Sequence, residues 1–161
     1  MLRMLRTAAV AATLSLSSIS AFAGSGDVVL TIDGGVAGGK AVEMTVADLE
    51  ALGLATVKTG TPWDDHVVTY EGVAMSALME KVGAQGEDLA IVALNNYRTE
   101  VPLDDFAKYD VILALKKDGA YMPVSDKGPL FVVYPFDAHP ELKTELYYGR
   151  SAWQVRSMTV E

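Results

Sequence analysis

The segment from residue 111 to residue 135 constrains the fold of this chain more than any other segment. Two uninterrupted apolar runs, VILAL at 111–115 and LFVVY at 130–134, flank a polar connection that contains glycine. Short apolar runs that end in turn residues are typical of strands that are buried on both faces. The segment therefore predicts two interior strands, around which the rest of the chain has to pack.

Five further segments have the composition of strands. They are rich in apolar and β-branched residues, they are bounded by polar or glycine-bearing turns, and they span 28–32, 54–59, 66–72, 89–94 and 151–160. In the last segment the apolar residues change parity, since Trp153 and Val155 fall on one face of a strand and Met158 and Val160 on the other. A β-bulge near Arg156 would produce this change.

Short helices are predicted between the strands. One begins at Thr45, a good N-cap residue, and ends at Gly53. A second covers 74–82, where an apolar stripe at helical spacing is formed by Met75, Leu78, Met79 and Val82. Pro102 fits the first turn of a third helix that runs through Phe106.

Two segments are predicted to be irregular. Residues 95–98, NNYR, have the composition of a turn at the end of a strand. Residues 136–149 are predicted to be a long connection, and connections of this length often cover binding sites. Many strands with two or three short helices indicate an α+β fold with a mostly β core.

The N-terminal segment is predicted to be a secretory signal peptide. Arg3 and Arg6 precede an uncharged apolar run, and Ala21-Phe22-Ala23 matches the small-residue pattern of a cleavage site. We expect cleavage after Ala23, export to the periplasm and a single domain over residues 24–161. The alternative is an uncleaved membrane anchor, but the apolar run is shorter than the roughly 20 residues that a span needs. The cleaved product is therefore not expected to span a membrane.

The composition argues against several classes of function. The chain has no cysteine, so an exported domain has to be stable without disulfides. It carries 21 acidic against 13 basic residues, and this charge repels phosphate backbones, so nucleic-acid binding is not expected. His66 and His139 share no ligand spacing with carboxylates and predict no metal site. The chain has no GxSxG motif and no serine placed beside a histidine with an orienting acid, so nucleophilic catalysis is not expected.

The order and spacing of four segments resemble one family, the oxidoreductase molybdopterin-binding domain with the sulfite-oxidase fold. The four segments are GVAMSALMEKVGA at 72–84, ALNNYRTEVPLDDF at 93–106, the 111–135 segment and SAWQVRSMTV at 151–160. The resemblance implies a sulfite-oxidase-like fold and a pocket for a pterin. It also implies a cysteine that binds molybdenum, before the helix that the family writes as GVPL. Residues 61–72, TPWDDHVVTYEG, contain no cysteine, and Asp or His cannot replace a soft thiolate without changing the metal chemistry.

The missing cysteine narrows the resemblance to a cysteine-free branch that looks like periplasmic pterin-binding proteins. This branch implies a non-enzymatic protein that binds a free pterin, without a metal and without the molybdenum cofactor. It also implies a sensor role and a membrane partner, the periplasmic domain of an enzyme of cyclic-di-GMP metabolism. One alternative is a molybdenum-cofactor-dependent oxidoreductase or its accessory subunit. Another is an interaction module that kept the fold and binds only a protein.

Binding a flat heterocycle requires a stacking surface and a few polar groups at the ring edge. The candidate ligand-binding residues are aromatic or polar residues on predicted loops and strand ends: Trp63, Asn96, Tyr97, Arg98, Asp137, Arg150 and Trp153. All of these except Asp137 have a structural alternative that the sequence leaves open. The two tryptophans could pack in a loop or in the core, the residues from Asn96 to Arg98 could serve only the turn, and Arg150 could pair with a surface acid.

Overall fold

Two β-sheets and four short helices form the described part of the chain, residues 26–161 of this computed structural model. The predicted signal peptide, residues 1–23, lies outside the described residues. In chain order the elements are β1 (Val28–Gly34), β2 (Val42–Thr45), α1 (Val46–Glu50), β3 (Ala55–Thr59), β4 (Val68–Ala74), α2 (Met75–Val82), β5 (Asp88–Ala93), β6 (Arg98–Pro102), α3 (Asp104–Lys108), β7 (Ile112–Lys117), β8 (Ala120–Tyr121), β9 (Phe131–Val133), α4 (Glu145–Arg150) and β10 (Val155–Val160). No helix among these is long and apolar enough to cross a membrane.

The first sheet has the strand order β2-β1-β10-β5-β6. Its neighbours are antiparallel, except that β1 and the C-terminal strand β10 run parallel. In the second sheet β3, β4 and β7 are neighbours, and the two short strands β8 and β9 follow one another along the far edge of β7. The predicted strands of the 111–135 segment are thus confirmed as β7 and β9, which pair with each other.

Strand β7 separates two hydrophobic clusters. Leu113 and Leu115 point into the main core, which also takes in the apolar faces of β1, α1, α2, β5 and β10. Ile112 and Ala114, on the opposite face, belong to a second cluster that includes Tyr70 and Phe131. Because both faces of the strand are buried, its sequence is apolar without alternation.

The predicted bulge in the last strand is confirmed. Val155 lies opposite Ala93 and Ser157 lies opposite Val92, so Arg156 is the extra residue between the two pairs. The extra residue shifts the alternation of side chains between the two faces of the strand, so both Val155 and Met158 face the main core.

The first two predicted helices are also confirmed. Thr45 caps α1 through a reciprocal pair of hydrogen bonds with Asp48, and Gly53 follows in the left-handed conformation with φ of 91°. Helix α2 buries its predicted apolar stripe, and it ends at Gly83, whose φ is 61°.

Two local predictions were wrong. Residues 98–102 form strand β6 instead of continuing a turn into a helix, and the third helix begins at Asp104. Pro102 is tolerated at the end of β6 because this strand lies at the edge of its sheet. Residues 136–149 are not wholly irregular, since they include most of α4. Packing of Tyr147 and Tyr148 against the core stabilises that helix. Such tertiary packing cannot be predicted from the local sequence.

Candidate functional site

An open cleft of about 440 Å³ lies where four segments of the chain meet, the last two of them consecutive in sequence. The segments are the loop between β3 and β4, the turn after β5, helix α4 and the residues just before β10. Its wall is mostly aromatic and apolar and is formed by Pro62, Trp63, Tyr97, Tyr148, Ala152 and Trp153. We call this site the aromatic cleft.

The two tryptophans hold each other in place at one wall of the aromatic cleft. The ring centroids of Trp63 and Trp153 are 5.1 Å apart, and the rings meet edge to face at 78°. Trp63 makes the same kind of contact with Tyr148 and with Phe131, each at 6.0 Å. Edge-to-face pairs of this kind are favourable and orient the rings. Both indoles are only partly buried, so they combine packing against the second cluster with a surface that faces the cleft.

The loop that carries Trp63 is anchored by the next residue, Asp64. The side chain of Asp64 is only 3% exposed. Its carboxylate accepts hydrogen bonds from the Thr61 hydroxyl at 2.7 Å, the Tyr70 hydroxyl at 2.6 Å and the Lys117 ammonium at 2.8 Å. Burial by itself would raise the pKa of Asp64, but these three donors more than offset it and hold that pKa well below its usual range. Asp64 is therefore a charged anchor beneath the loop.

Three polar residues, Asn95, Glu145 and Ser151, and the backbone of Gly149 complete the lining. The Tyr97 hydroxyl donates to the Gly149 carbonyl at 2.7 Å and thereby ties the turn after β5 to α4. The Asn95 side-chain oxygen accepts from the Tyr97 backbone N–H at 2.9 Å. Among the described residues that line the cleft, Glu145 is the one that carries a formal charge.

A second depression of about 300 Å³ adjoins the aromatic cleft and shares Pro62 and Tyr148 with it. Asp137 lies here and accepts from the Lys143 ammonium and from the Gly60 backbone N–H, both at 2.7 Å. The Lys143 hydrogen bond, followed by the one from Gly60, lowers the pKa of Asp137. The predicted ligand residue Asp137 thus lies beside the cleft, with both oxygens already held by protein donors.

The aromatic cleft brings together three of the predicted site residues, namely Trp63, Tyr97 and Trp153. Two others have protein partners elsewhere. The Asn96 side-chain oxygen accepts from Arg156 at 2.9 Å. On the edge strand β6, the Arg98 guanidinium pairs with Glu161 at 2.9 Å and with Glu100 at 3.2 Å.

Arg150, the last residue of helix α4, supports the site through contacts outside the cleft. Its guanidinium donates to Asp105 at 2.8 Å, and the same carboxylate accepts from the Tyr134 hydroxyl at 2.9 Å. Burial, followed by the charge of Asp105, raises the pKa of Tyr134, so this hydroxyl remains a donor. The guanidinium also lies 5.3 Å from the centre of the Tyr147 ring. These contacts fix α4, which presents Tyr148 and Glu145 to the cleft.

The sequence predictions did not include the polar lining or Tyr148. Glu145, Tyr148 and Gly149 are three and four residues apart, so a helix places them on one face. That spacing would have grouped them if α4 had been predicted as a helix. Asn95 was recognised only as part of a turn, and nothing in the turn pattern separates it from its neighbour Asn96.

One comparison with known proteins identifies the family, and another identifies the fold. The family model described as the oxidoreductase molybdopterin binding domain matches residues 23–137. The crystal structure of the sulfane dehydrogenase SoxCD from Paracoccus pantotrophus superposes with a TM-score of 0.63 at 20% identity, over 81% of this chain and 37% of that one. The chain therefore spans well under half of that enzyme chain, and the likeness concerns the fold. No curated protein matches the sequence. This chain belongs to the oxidoreductase molybdopterin-binding domain family and has its sulfite-oxidase-like α+β fold.

Proposed function

We propose that this domain binds the flat ring of a pterin-type ligand in the aromatic cleft, without a metal ligated by the protein. The observation that carries the proposal is that both tryptophans of the chain line one cleft in a domain of a molybdopterin-binding family. A ring that stacks on an aromatic side chain gains roughly 1–3 kcal/mol. The cleft has the size and the mostly apolar lining that are typical of small-molecule sites.

The residues of the loop between β3 and β4 do not fit a molybdenum held by the protein. The chain offers no thiolate, and the carboxylate of Asp64 is already occupied by Thr61, Tyr70 and Lys117. The exposed His66 lies 3.5 Å from Asp118, and no group of three or more potential ligands is assembled within residues 26–161. A hard carboxylate or an imidazole would also give a different metal chemistry from a thiolate. That this protein ligates no molybdenum stays a prediction.

Titration with a reduced pterin tests the proposal. Because Trp63 and Trp153 are the two tryptophans of the chain and both line the cleft, intrinsic fluorescence reports on this site. We expect saturable quenching in the wild-type protein and weaker binding by Trp63→Leu, in which Trp153 remains as the reporter. Tyr121→Leu, which removes a ring from β8 outside the cleft, is the control and should bind like the wild type.

Absence of binding up to millimolar ligand would contradict the proposal, provided that the protein is folded by circular dichroism. Equal affinities of wild type and Trp63→Leu would also contradict it, because the ring would then lie elsewhere.

A second candidate function is a molybdenum-cofactor-dependent oxidoreductase or its accessory subunit. The comparisons favour this candidate over a sensor, since the family is described as an oxidoreductase domain and the structural neighbour is a dehydrogenase. The lining of this cleft and the missing thiolate favour metal-free binding. Metal analysis of protein matured in a host that makes the cofactor separates the two. Stoichiometric molybdenum supports the enzyme, whereas pterin without molybdenum supports the metal-free protein.

Export and signalling belong to the same proposal and rest on the sequence. A mature N-terminus at Gly24 in protein recovered from the periplasm would support cleavage after Ala23. The proposed partner is the periplasmic domain of a membrane enzyme of cyclic-di-GMP metabolism. Co-purification of the two proteins that depends on pterin would support the sensor role, and an interaction indifferent to pterin would contradict it.

A further inference from the structure

We propose that Glu145 is the residue by which the aromatic cleft selects its ligand, and that it selects a neutral, unphosphorylated ring with a 2-amino-4-oxo edge. This inference rests on the proposed binding of a pterin-type ring in the cleft, and it adds the part of the ring that is recognised and the residue that recognises it.

The position of Glu145 makes it available to a ligand. It lies in the first turn of α4, and Tyr148 and Gly149, which follow by one turn, line the same cleft. The Glu145 carboxylate has no hydrogen bond or ion pair with any residue in the part of the chain that the structure describes. In the adjoining depression Asp137 is held by Lys143 and by Gly60. Glu145 thus differs from Asp137 in having both oxygens open.

A free carboxylate next to an apolar wall recognises a particular chemistry. Its two oxygens accept two parallel hydrogen bonds from a planar pair of N–H donors. The amino group and the neighbouring ring N–H of a 2-amino-4-oxopyrimidine edge form such a pair, and the carbonyl group follows directly. A ring in which a carbonyl replaces the amino group presents only one of the two donors.

Asn95 supplies the complementary donor. Its side-chain oxygen is taken by the Tyr97 N–H at 2.9 Å, so its amide NH₂ is left to donate. The cleft therefore offers a carboxylate acceptor and an amide donor, which together match the two donors and the carbonyl acceptor of the edge.

The charge of the cleft argues against phosphorylated ligands. Among the described residues none of those that line the aromatic cleft is a cation, and Lys143 next to it is paired with Asp137. A phosphate placed near Glu145 would meet a like charge without a counter-charge. Unphosphorylated pteridines are therefore the expected class of ligand.

Calorimetric titration of two neutral rings tests the inference. Pterin carries the 2-amino group, and lumazine has a carbonyl in its place; both are neutral in mildly acidic buffer. We expect the wild type to prefer pterin on the order of tenfold, the value of one hydrogen bond to a charged group. Glu145→Gln should lose most of this preference, because its amide can donate to the carbonyl of lumazine. Glu80→Gln removes the same charge from the exposed end of α2 and should keep the preference.

The outcomes separate this inference from the proposed function. If Glu145→Gln retains the wild-type preference, or if the wild type binds pterin and lumazine equally, the role of Glu145 is wrong and ring binding in the cleft still stands. If the folded wild type binds the reduced pterin but neither of these two rings, the role of Glu145 is wrong and the proposed function stands. If it binds none of the three rings, the proposed function fails and the inference fails with it.

Discussion

At the scale of single residues, Asp64 anchors the loop that carries Trp63, although it does not itself line the cleft. It follows Trp63 in the chain and accepts four side-chain hydrogen bonds, the longest of them from Lys127 at 3.5 Å. We expect Asp64→Asn to lower the free energy of unfolding by about 2 kcal/mol, because it leaves the Lys117 ammonium without its closest counter-charge. The measurement is chemical denaturation. Asp65→Asn is the matched control, since its side chain is exposed, and it should change stability by no more than about 0.5 kcal/mol.

The same carboxylate predicts a dependence of stability on pH. The pKa of Asp64 in the folded chain lies well below its value in the unfolded chain, so the ionised form stabilises the native state. This contribution is fully present above the ordinary carboxyl pKa of about 4 and is lost as the pH falls below it. Denaturation midpoints over a series of acidic pH values should therefore fall more steeply for the wild type than for Asp64→Asn. Parallel curves would show that other carboxylates cause the acid sensitivity.

Residue by residue, the aromatic residues predicted for the site lie in the cleft more often than the polar ones. A tryptophan in a Pro-Trp loop is unusual enough to stand out, and Trp63 does line the cleft. Arg98 and Asn96 stood out for their chemistry, yet each is paired with a neighbour on the surface. Whether a polar side chain is free or occupied depends on residues far away in the chain, such as Glu161 for Arg98. No local pattern records that information.

At the scale of elements, helix α4 depends on its buried ion pair. The Asp105 side chain is 10% exposed and that of Arg150 is 16% exposed. We expect Arg150→Met to destabilise the fold by about 2–3 kcal/mol, because the buried Asp105 carboxylate loses the cation with which it pairs. It should also weaken ligand binding, since α4 presents Tyr148 and Glu145 to the cleft.

The test is a double-mutant cycle with Asp105→Asn, followed by denaturation. The double variant should be more stable than the sum of the single changes implies. Additive losses would mean that Arg150 contributes through packing on Tyr147 and not through its charge.

Elements with local signals were predicted from the sequence, and elements without them were not. Helix α1 has a capping threonine and a glycine after its end, and α2 has an apolar stripe and a final glycine, so their positions follow from short stretches of chain. Strand β6 and helix α4 have no such signals. β6 exists because its backbone pairs with β5, and α4 exists because Tyr147 and Tyr148 find aromatic partners across the fold. Both depend on contacts that are distant in sequence.

At the scale of the whole molecule, β7 joins the two hydrophobic clusters into one unit. Its residues alternate between the main core and the second cluster, against which Trp63 and Trp153 pack. We expect both clusters to unfold together. Far-UV circular dichroism, which follows all the strands, and tryptophan fluorescence, which follows the second cluster, should give the same denaturation midpoint. A fluorescence transition at lower denaturant would show that the second cluster opens by itself.

The burial of β7 on both faces also bears on how this family can diversify. A strand that has no solvent face, such as Ile112–Leu115 here, leaves little room for neutral drift. The walls of the aromatic cleft are formed instead by a loop, a turn, a short helix and the residues that precede β10. The residues that line the cleft can therefore change separately from the architecture, because none of them belongs to the strand that joins the two clusters.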